Sequence, residues 1–269
     1  MRSLDADALL ARAGRPVPAN PDVALGSSSV PIFVPISVPV SAPARRCRTC
    51  HGSTARGFAV CSGCHEIEGQ LGRSLAPVLP VALAGRGSSL ARLLADYKAG
   101  RSPSARREAS DQIFAMLVSF LEDHGEDLDA VAGGPSCFVT VPSSGPGRAS
   151  WHGRHPLCAL VEAAARKLGR PYLEQALVRG PGALGHRRAS ALGYRLARPV
   201  PLDRVVVFDD TYASGARAQS AAAALGMHGI TVVAIVPIVR IVRIVGNEVS
   251  RPIAPRSIGG RLEHVDPPR

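Results

Sequence analysis

The pattern of apolar and polar positions divides the chain into alternating strand-like and helix-like stretches. LAPVLPVALAG, 75–85, reads as a strand or an extended entry into a folded domain. SSLARLLADYKAG, 88–100, carries apolar residues at helical spacing, with Ser88 or Ser89 as cap and Gly100 as stop. A longer helix is expected over about 104–124. CFVTVP, 137–142, is a strand, and PLCALVEAAARKLG, 156–169, is a helix ending in Gly169. YLEQALV, 172–178, predicts a strand, and the glycine-bearing basic stretch 179–197 a loop too long for a simple turn. RVVVFDD, 204–210, is a buried strand ending in two acids; a helix follows over 214–226 and a strand over 230–238. Strands alternating with helices predict an α/β domain with a mostly parallel sheet flanked by helices.

Both ends depart from this alternation. Residues 1–44 are rich in Pro, Ala and Ser and predict a disordered tail. Within them VPIFVPISVPVSAP is apolar, but Pro31, Pro35, Pro39 and Pro43 exclude a spanning helix. TVVAIVPIVRIVRIV, 231–245, is interrupted by Pro237, Arg240 and Arg243, which favours buried strands over a membrane span. The start of the sequence shows no apolar secretory segment, so a cytoplasmic protein without structural disulfides is expected. The expected organisation is a tail over 1–44, a four-cysteine unit over 45–68, the main domain over 75–248 and a C-terminal tail over 249–269.

Charge narrows the class of partner. The net charge is +11 over 269 residues, which favours a polyanion: nucleic acid, an anionic membrane surface or a phosphorylated small molecule. Free arginine usage in a GC-rich genome would give the same balance. Aromatics make up only 4%, which argues against a nucleic-acid surface built on many stacked rings.

CRTCHGSTARGFAVCSGCH, 47–65, holds four of the six cysteines. Each half is C-x-x-C-H, a spacing shared with covalent haem attachment. Taken together, the two C-x-x-C pairs have the spacing of a small zinc ribbon. Haem attachment needs an oxidising compartment and axial ligands, and methionine is scarce at three residues. Zinc needs only Cys47, Cys50, Cys61 and Cys64, and four thiolates leave no open position, so the expected role is structural. His51 and His65 are then bystanders or donors to the thiolates, while Cys137 and Cys158 read as lone core residues.

The stretch 204–226 carries the candidate chemistry. A buried strand delivers Asp209 and Asp210 to its carboxyl end, where open α/β sheets bind ligands. The loop TYASGA then opens a helix whose free N–H groups suit a phosphate, with Gly215 allowing close approach and Ser214 adding a hydroxyl. Acids just ahead of a phosphate cradle suit a sugar phosphate; two solvated aspartates beside a plain strand–turn–helix are the alternative.

That order of features resembles the phosphoribosyl-pyrophosphate (PRPP) motif of type I phosphoribosyltransferases. It departs at Thr211 and Tyr212, where the family prefers aliphatics, and at Ala213 and Arg217, where threonine is frequent. A four-cysteine ribbon, an LLADYKAG-like helix end, VTVPSS, a basic loop and the PRPP motif occur in the order of ComF-like proteins, over about 45–240. Some members of that group take part in bacterial DNA uptake. WHGRHPL, with Trp151, Arg154 and His155, stands where the family carries an R-G-F-N-Q-like stretch.

The resemblance implies a type I phosphoribosyltransferase-like fold and a PRPP or ribose-5-phosphate ligand with Mg²⁺. The implied cradle is Ala213, Ser214, Gly215, Ala216 and Arg217; Asp209 and Asp210 serve the ribose; Ser143 and Ser144 begin the loop facing the pyrophosphate. Residues 179–195, with Arg179, Arg187, Arg188 and Arg195, would form a mobile hood, and Lys98 would lie near this region or simply cap its own helix. The implied reaction is transfer of the phosphoribosyl group to a nitrogen acceptor. The alternative is a non-catalytic ribonucleotide-binding protein with a surface for single-stranded DNA. Oligomerisation is compatible with either.

Overall fold

The computed structural model describes residues 46–242, except 56, 86, 135, 143–154 and 201–202. The tails expected over 1–44 and 249–269 lie outside the described residues, as do Ser143, Ser144, Arg148, Trp151 and Arg154.

The elements run α1 (Ser62–Leu71), β1 (Ala82–Gly85), α2 (Ser89–Ala99), α3 (Pro103–Ala132), β2 (Cys137–Thr140), α4 (Pro156–Lys167), β3 (Leu177–Arg179), β4 (Tyr194–Leu196), β5 (Arg204–Tyr212), α5 (Ala216–Gly226) and β6 (Thr231–Val242). The main sheet has the order β1–β6–β5–β2 with every neighbour parallel. Helices cover both faces, as the alternation requires. Val206 and Phe208 of β5 join the core under α3 and α4, with Phe114, Leu117, Leu121 and Leu160. The intervening Val205 and Val207 join the opposite core with Ala221 and Leu225 of α5, and with Cys47, Cys50 and Cys64. The cysteine unit is therefore packed into the same core as the sheet.

The helix ends follow local chemistry. Ser88 and Ser102 each accept an amide hydrogen bond three residues on, and Pro103 fills the first turn of α3, where no N–H is needed. α3 runs eight residues past the expected end at 124, straight through Gly125. Arg170 holds this added length by donating to Asp129 and to the Gly125 carbonyl. Two further differences matter to the site. The expected strand 172–178 is broken: Tyr172 bridges to Phe138, a turn follows through Gln175 at φ 53°, and only its last two residues enter β3. The expected basic loop contains strand β4, which pairs antiparallel with β3. Three-residue strands carry too little alternation to show in a sequence.

Proline marks one interruption in the ladder. Val78 pairs with Ile235, and Ala82 with Val239. Between these pairings lie Pro80 and Pro237, neither of which has an N–H to offer. Among the described residues no helix is long and apolar enough to cross a membrane.

Candidate functional site

Strand β5 does not stop at its acids. It continues through Thr211 to Tyr212, so the loop before α5 shrinks to Ala213–Gly215. Gly215 takes φ +88°, the left-handed region, and a Cβ built there would lie 2.1 Å from the Tyr212 hydroxyl. The glycine is thus required twice, by backbone and by the fully buried ring beneath it. Gly215→Ala should cost about 2–4 kcal/mol of stability, because strain and overpacking add. A denaturant midpoint equal to wild type would contradict that packing.

Asp210 sits in a small polar cluster. Lys98 Nζ at the end of α2 lies 2.7 Å from its Oδ1, and also donates to Thr211 Oγ1 at 2.9 Å. His155 Nε2 faces Asp210 Oδ2 at 3.4 Å. His155 is the N-cap of α4: its Nδ1 accepts from the Leu157 amide at 3.2 Å, which leaves the proton on Nε2 toward the carboxylate. Burial lowers the His155 pKa despite the Asp210 charge, so the neutral ring is favoured. A ring whose two nitrogens are both engaged is a positioning group rather than a base.

Asp209 differs from its neighbour. Its Oδ1 accepts from the Asp210 amide at 2.9 Å. Burial, then the Asp210 charge, raises its carboxyl to about 7, against the opposing pull of Lys98. Tyr97 is fully buried, and its hydroxyl has no hydrogen-bond partner among the described residues. Burial and then the Asp210 charge raise its pKa well above the ordinary phenol value.

The basic hairpin leans on the loop. Ser214 Oγ donates to the His186 carbonyl, and the Ser190 amide donates to Ser220 Oγ at 2.9 Å. Arg187 pairs with Glu66 of α1 at 3.2 Å, and Gln70 of α1 donates to the Arg187 carbonyl. Arg187 is thus engaged by the cysteine unit rather than by the acids, while Arg188 is exposed. Arg217 is exposed at the start of α5, close enough for its charge to act on Asp209. The structure therefore brings together Asp209, Asp210, Ala213, Ser214, Gly215, Ala216 and Arg217, and adds Lys98 and His155. The sequence named the last two without assigning their contact. Thr211 and Tyr212, the departures from the PRPP motif, have local reasons: one binds Lys98 and the other packs under Gly215.

The sulfur atoms of Cys47, Cys50, Cys61 and Cys64 all lie within 4.8 Å of one another. A tetrahedral Zn²⁺ with ordinary Zn–S bonds needs sulfurs about 3.8 Å apart; Cys50 and Cys61 stand at 3.7 Å. The donor set and spacing fit one zinc ion. The second C-x-x-C pair is not a free turn: Cys61 caps α1 and Cys64 lies in its first turn, where the helix dipole favours thiolate. Hydrogen bonds from Cys50 and Cys64 hold the Cys61 thiol far below its ordinary value, while hydrogen bonds to Cys50 and Cys61, and then burial, raise Cys64. A bound dication would let all four ionise. His51 takes no part in the set; its Nε2 donates to the Val78 carbonyl at 2.9 Å. Among the described residues no carboxylates gather into a group of three that could hold a metal. A cavity of about 400 Å³, lined by residues including Arg73, Gln219 and Ile230, contains none of the candidate residues.

No family model matches the sequence, and no curated protein matches it. Among solved structures, the chain is similar to adenine phosphoribosyltransferase from Leishmania tarentolae, at 17% identity and a TM-score of 0.32, covering 63% of this chain and 94% of that one.

Proposed function

We propose that the protein binds PRPP and transfers its phosphoribosyl group to a nitrogen acceptor, on a type I phosphoribosyltransferase-like domain. One observation carries this reading. Two carboxylates near the carboxyl end of β5 stand two residues ahead of the short loop Ala213–Gly215, whose left-handed glycine opens α5. The amides of that bend and first turn take the 5′-phosphate, and the helix dipole adds to their attraction. Asp209 and Asp210 accept hydrogen bonds from the ribose hydroxyls. Mg²⁺ arrives on the pyrophosphate as part of the substrate. Ser143 and Ser144 supply the pyrophosphate loop, and Arg188 with the other hood arginines stabilises the leaving group. Arg187 joins them on exchanging Glu66 for substrate.

In the reaction, the acceptor nitrogen forms a bond to C1 of the ribose as the C1–oxygen bond to pyrophosphate breaks. The electron pair leaves on pyrophosphate, through an oxocarbenium-like state. Asp209 takes the proton that the acceptor loses; a carboxyl titrating near neutrality suits that exchange. Lys98 and the neutral His155 hold Asp210 in place. The four-thiolate zinc site is structural and fits a reducing compartment such as the cytoplasm.

Calorimetric titration with PRPP and Mg²⁺, followed by pyrophosphate release across candidate bases and amines, tests this. Binding with turnover supports transfer. Binding without turnover, joined to salt-sensitive binding of single-stranded DNA, would instead assign a nucleotide sensor. The absence of PRPP binding to the metal-loaded protein would end both readings.

A pH dependence follows from Asp209. Its folded pKa, about 7, lies above the ordinary carboxylate value, so its ionised form is disfavoured in the fold. Sugar binding uses that ionised form, so affinity rises with pH through this range. Between pH 6 and pH 8 the rise should be about tenfold relative to Asp209→Asn, a comparison that cancels titration of the ligand's own phosphates. Parallel pH profiles for the two proteins would remove Asp209 from the binding step.

A further inference from the structure

Arg240 is 8% exposed in the interior of β6, and its guanidinium touches two separate sites. On one side Nε donates to the Cys50 carbonyl at 3.2 Å and Nη2 to Cys50 Sγ at 3.4 Å. On the other side Nη1 donates to the Tyr212 carbonyl at 3.0 Å and to the Ala213 carbonyl, with a further bond to the carbonyl of Ile241. The guanidinium also lies over the Tyr212 ring, 5.2 Å from its centroid. Gly52 leaves room for it: a Cβ built there would stand 2.9 Å from Nη2.

This geometry acts on the loop through the peptide plane. In a trans peptide the carbonyl of one residue and the N–H of the next point in opposite directions, and no cis peptide occurs among the described residues. With the carbonyls of Tyr212 and Ala213 drawn to Arg240, the amides of Ala213 and Ser214 face away from it. A cation inside the fold thereby sets the direction of the loop's donors.

We propose that Arg240 is a positioning residue through which occupancy of the four-thiolate site sets the order of the loop Ala213–Gly215. That order governs phosphate affinity if the function proposed above holds. With metal bound, Cys50 is fixed and Arg240 is held against both carbonyls. With metal lost, Cys50 is released and the guanidinium loses one of its two anchors. By reciprocity, a phosphate ester seated on the loop tightens the metal site by the same factor.

The test uses the full chain, zinc-loaded and chelator-stripped, as wild type, Arg240→Met and Gly52→Ala. The Met side chain keeps the apolar stem, and the added methyl displaces the guanidinium without removing its charge. When wild type is stripped, hydrogen exchange of the segment 209–220 should quicken at least tenfold more than that of β2 and α4. In both variants it should be fast and indifferent to metal. Zinc affinity should fall 10–100-fold in Arg240→Met, the loss typical of groups that orient a metal ligand. PRPP should slow zinc release from wild type but from neither variant. If either variant retains the wild-type response to metal, or stripping quickens exchange equally throughout the chain, the coupling is refuted. Failure of PRPP to bind the zinc-loaded wild type refutes the proposed function instead, and the exchange data still decide the coupling. Should one variant not fold, the other decides.

Discussion

With Asp209→Asn and Asp210→Asn combined, PRPP affinity should fall about 100-fold or more, a loss of about 2.7 kcal/mol. Each carboxylate offers charge-assisted acceptors to a ribose hydroxyl, and such bonds contribute about 1.5–3 kcal/mol. The amide replacements preserve shape but turn part of each group into a donor. The two sites should not contribute alike. Asn at 210 also replaces the carboxylate that meets Lys98 at 2.7 Å and His155 at 3.4 Å with a group that can accept from only one of them, so orientation is lost with charge. Asn at 209 removes a carboxyl that is already close to neutral, and its effect should shrink below pH 7. Calorimetry at pH 6 and pH 8 on both single variants checks this order. Unchanged affinity in the double variant would leave the acids without a ligand.

Removing the metal, or replacing one of its ligands as in Cys64→Ser, should lower stability by about 3–5 kcal/mol. For a folded unit of this size that corresponds to a midpoint about 10 °C lower. The reason lies in where the thiols sit. Cys47, Cys50 and Cys64 are each 1% exposed and share a core with Val205, Val207 and Ile235. Four thiols this close cannot all ionise without a cation, and a serine leaves an open coordination position inside that core. Metal analysis should return about one zinc per chain. A zinc-free protein with an undiminished thermal midpoint would show that the sulfurs simply pack.

Much of this arrangement is legible in the sequence because its signals are local. The run Val205–Phe208 with its two acids, the cap Ser88, and the paired C-x-x-C units each carry their chemistry within a few residues. β5, α2 and the four-thiolate cluster follow directly. The hidden features depend on partners far along the chain. Lys98 meets Thr211 across 113 positions, and Arg240 meets Cys50 across 190. A lysine in a last helical turn reads equally well as a dipole cap. An arginine amid valines and isoleucines reads as a break in an apolar run that argues against a membrane span; in the fold it is a buried cation between two polar clusters. Gly125 reads as a stop because its packing against Arg170 cannot be seen locally. The three-residue strand β4 fails for the opposite reason: its signal is local but too short to separate from loop, and β3 is caught only by the end of a longer expected strand.

The sheet order has a consequence for synthesis. Among the described residues β1, near the start of the domain, has a single neighbour in the main sheet, and that neighbour is β6, the last strand among them. On a translating ribosome β1 must wait on the order of ten seconds for its mate to emerge. Throughout that interval the apolar stretch Val78–Ala84 stands ready for any other strand it meets. Aggregation in that window is the hazard this topology carries, and a stall late in the message leaves the greatest length of sticky, unclosed polypeptide.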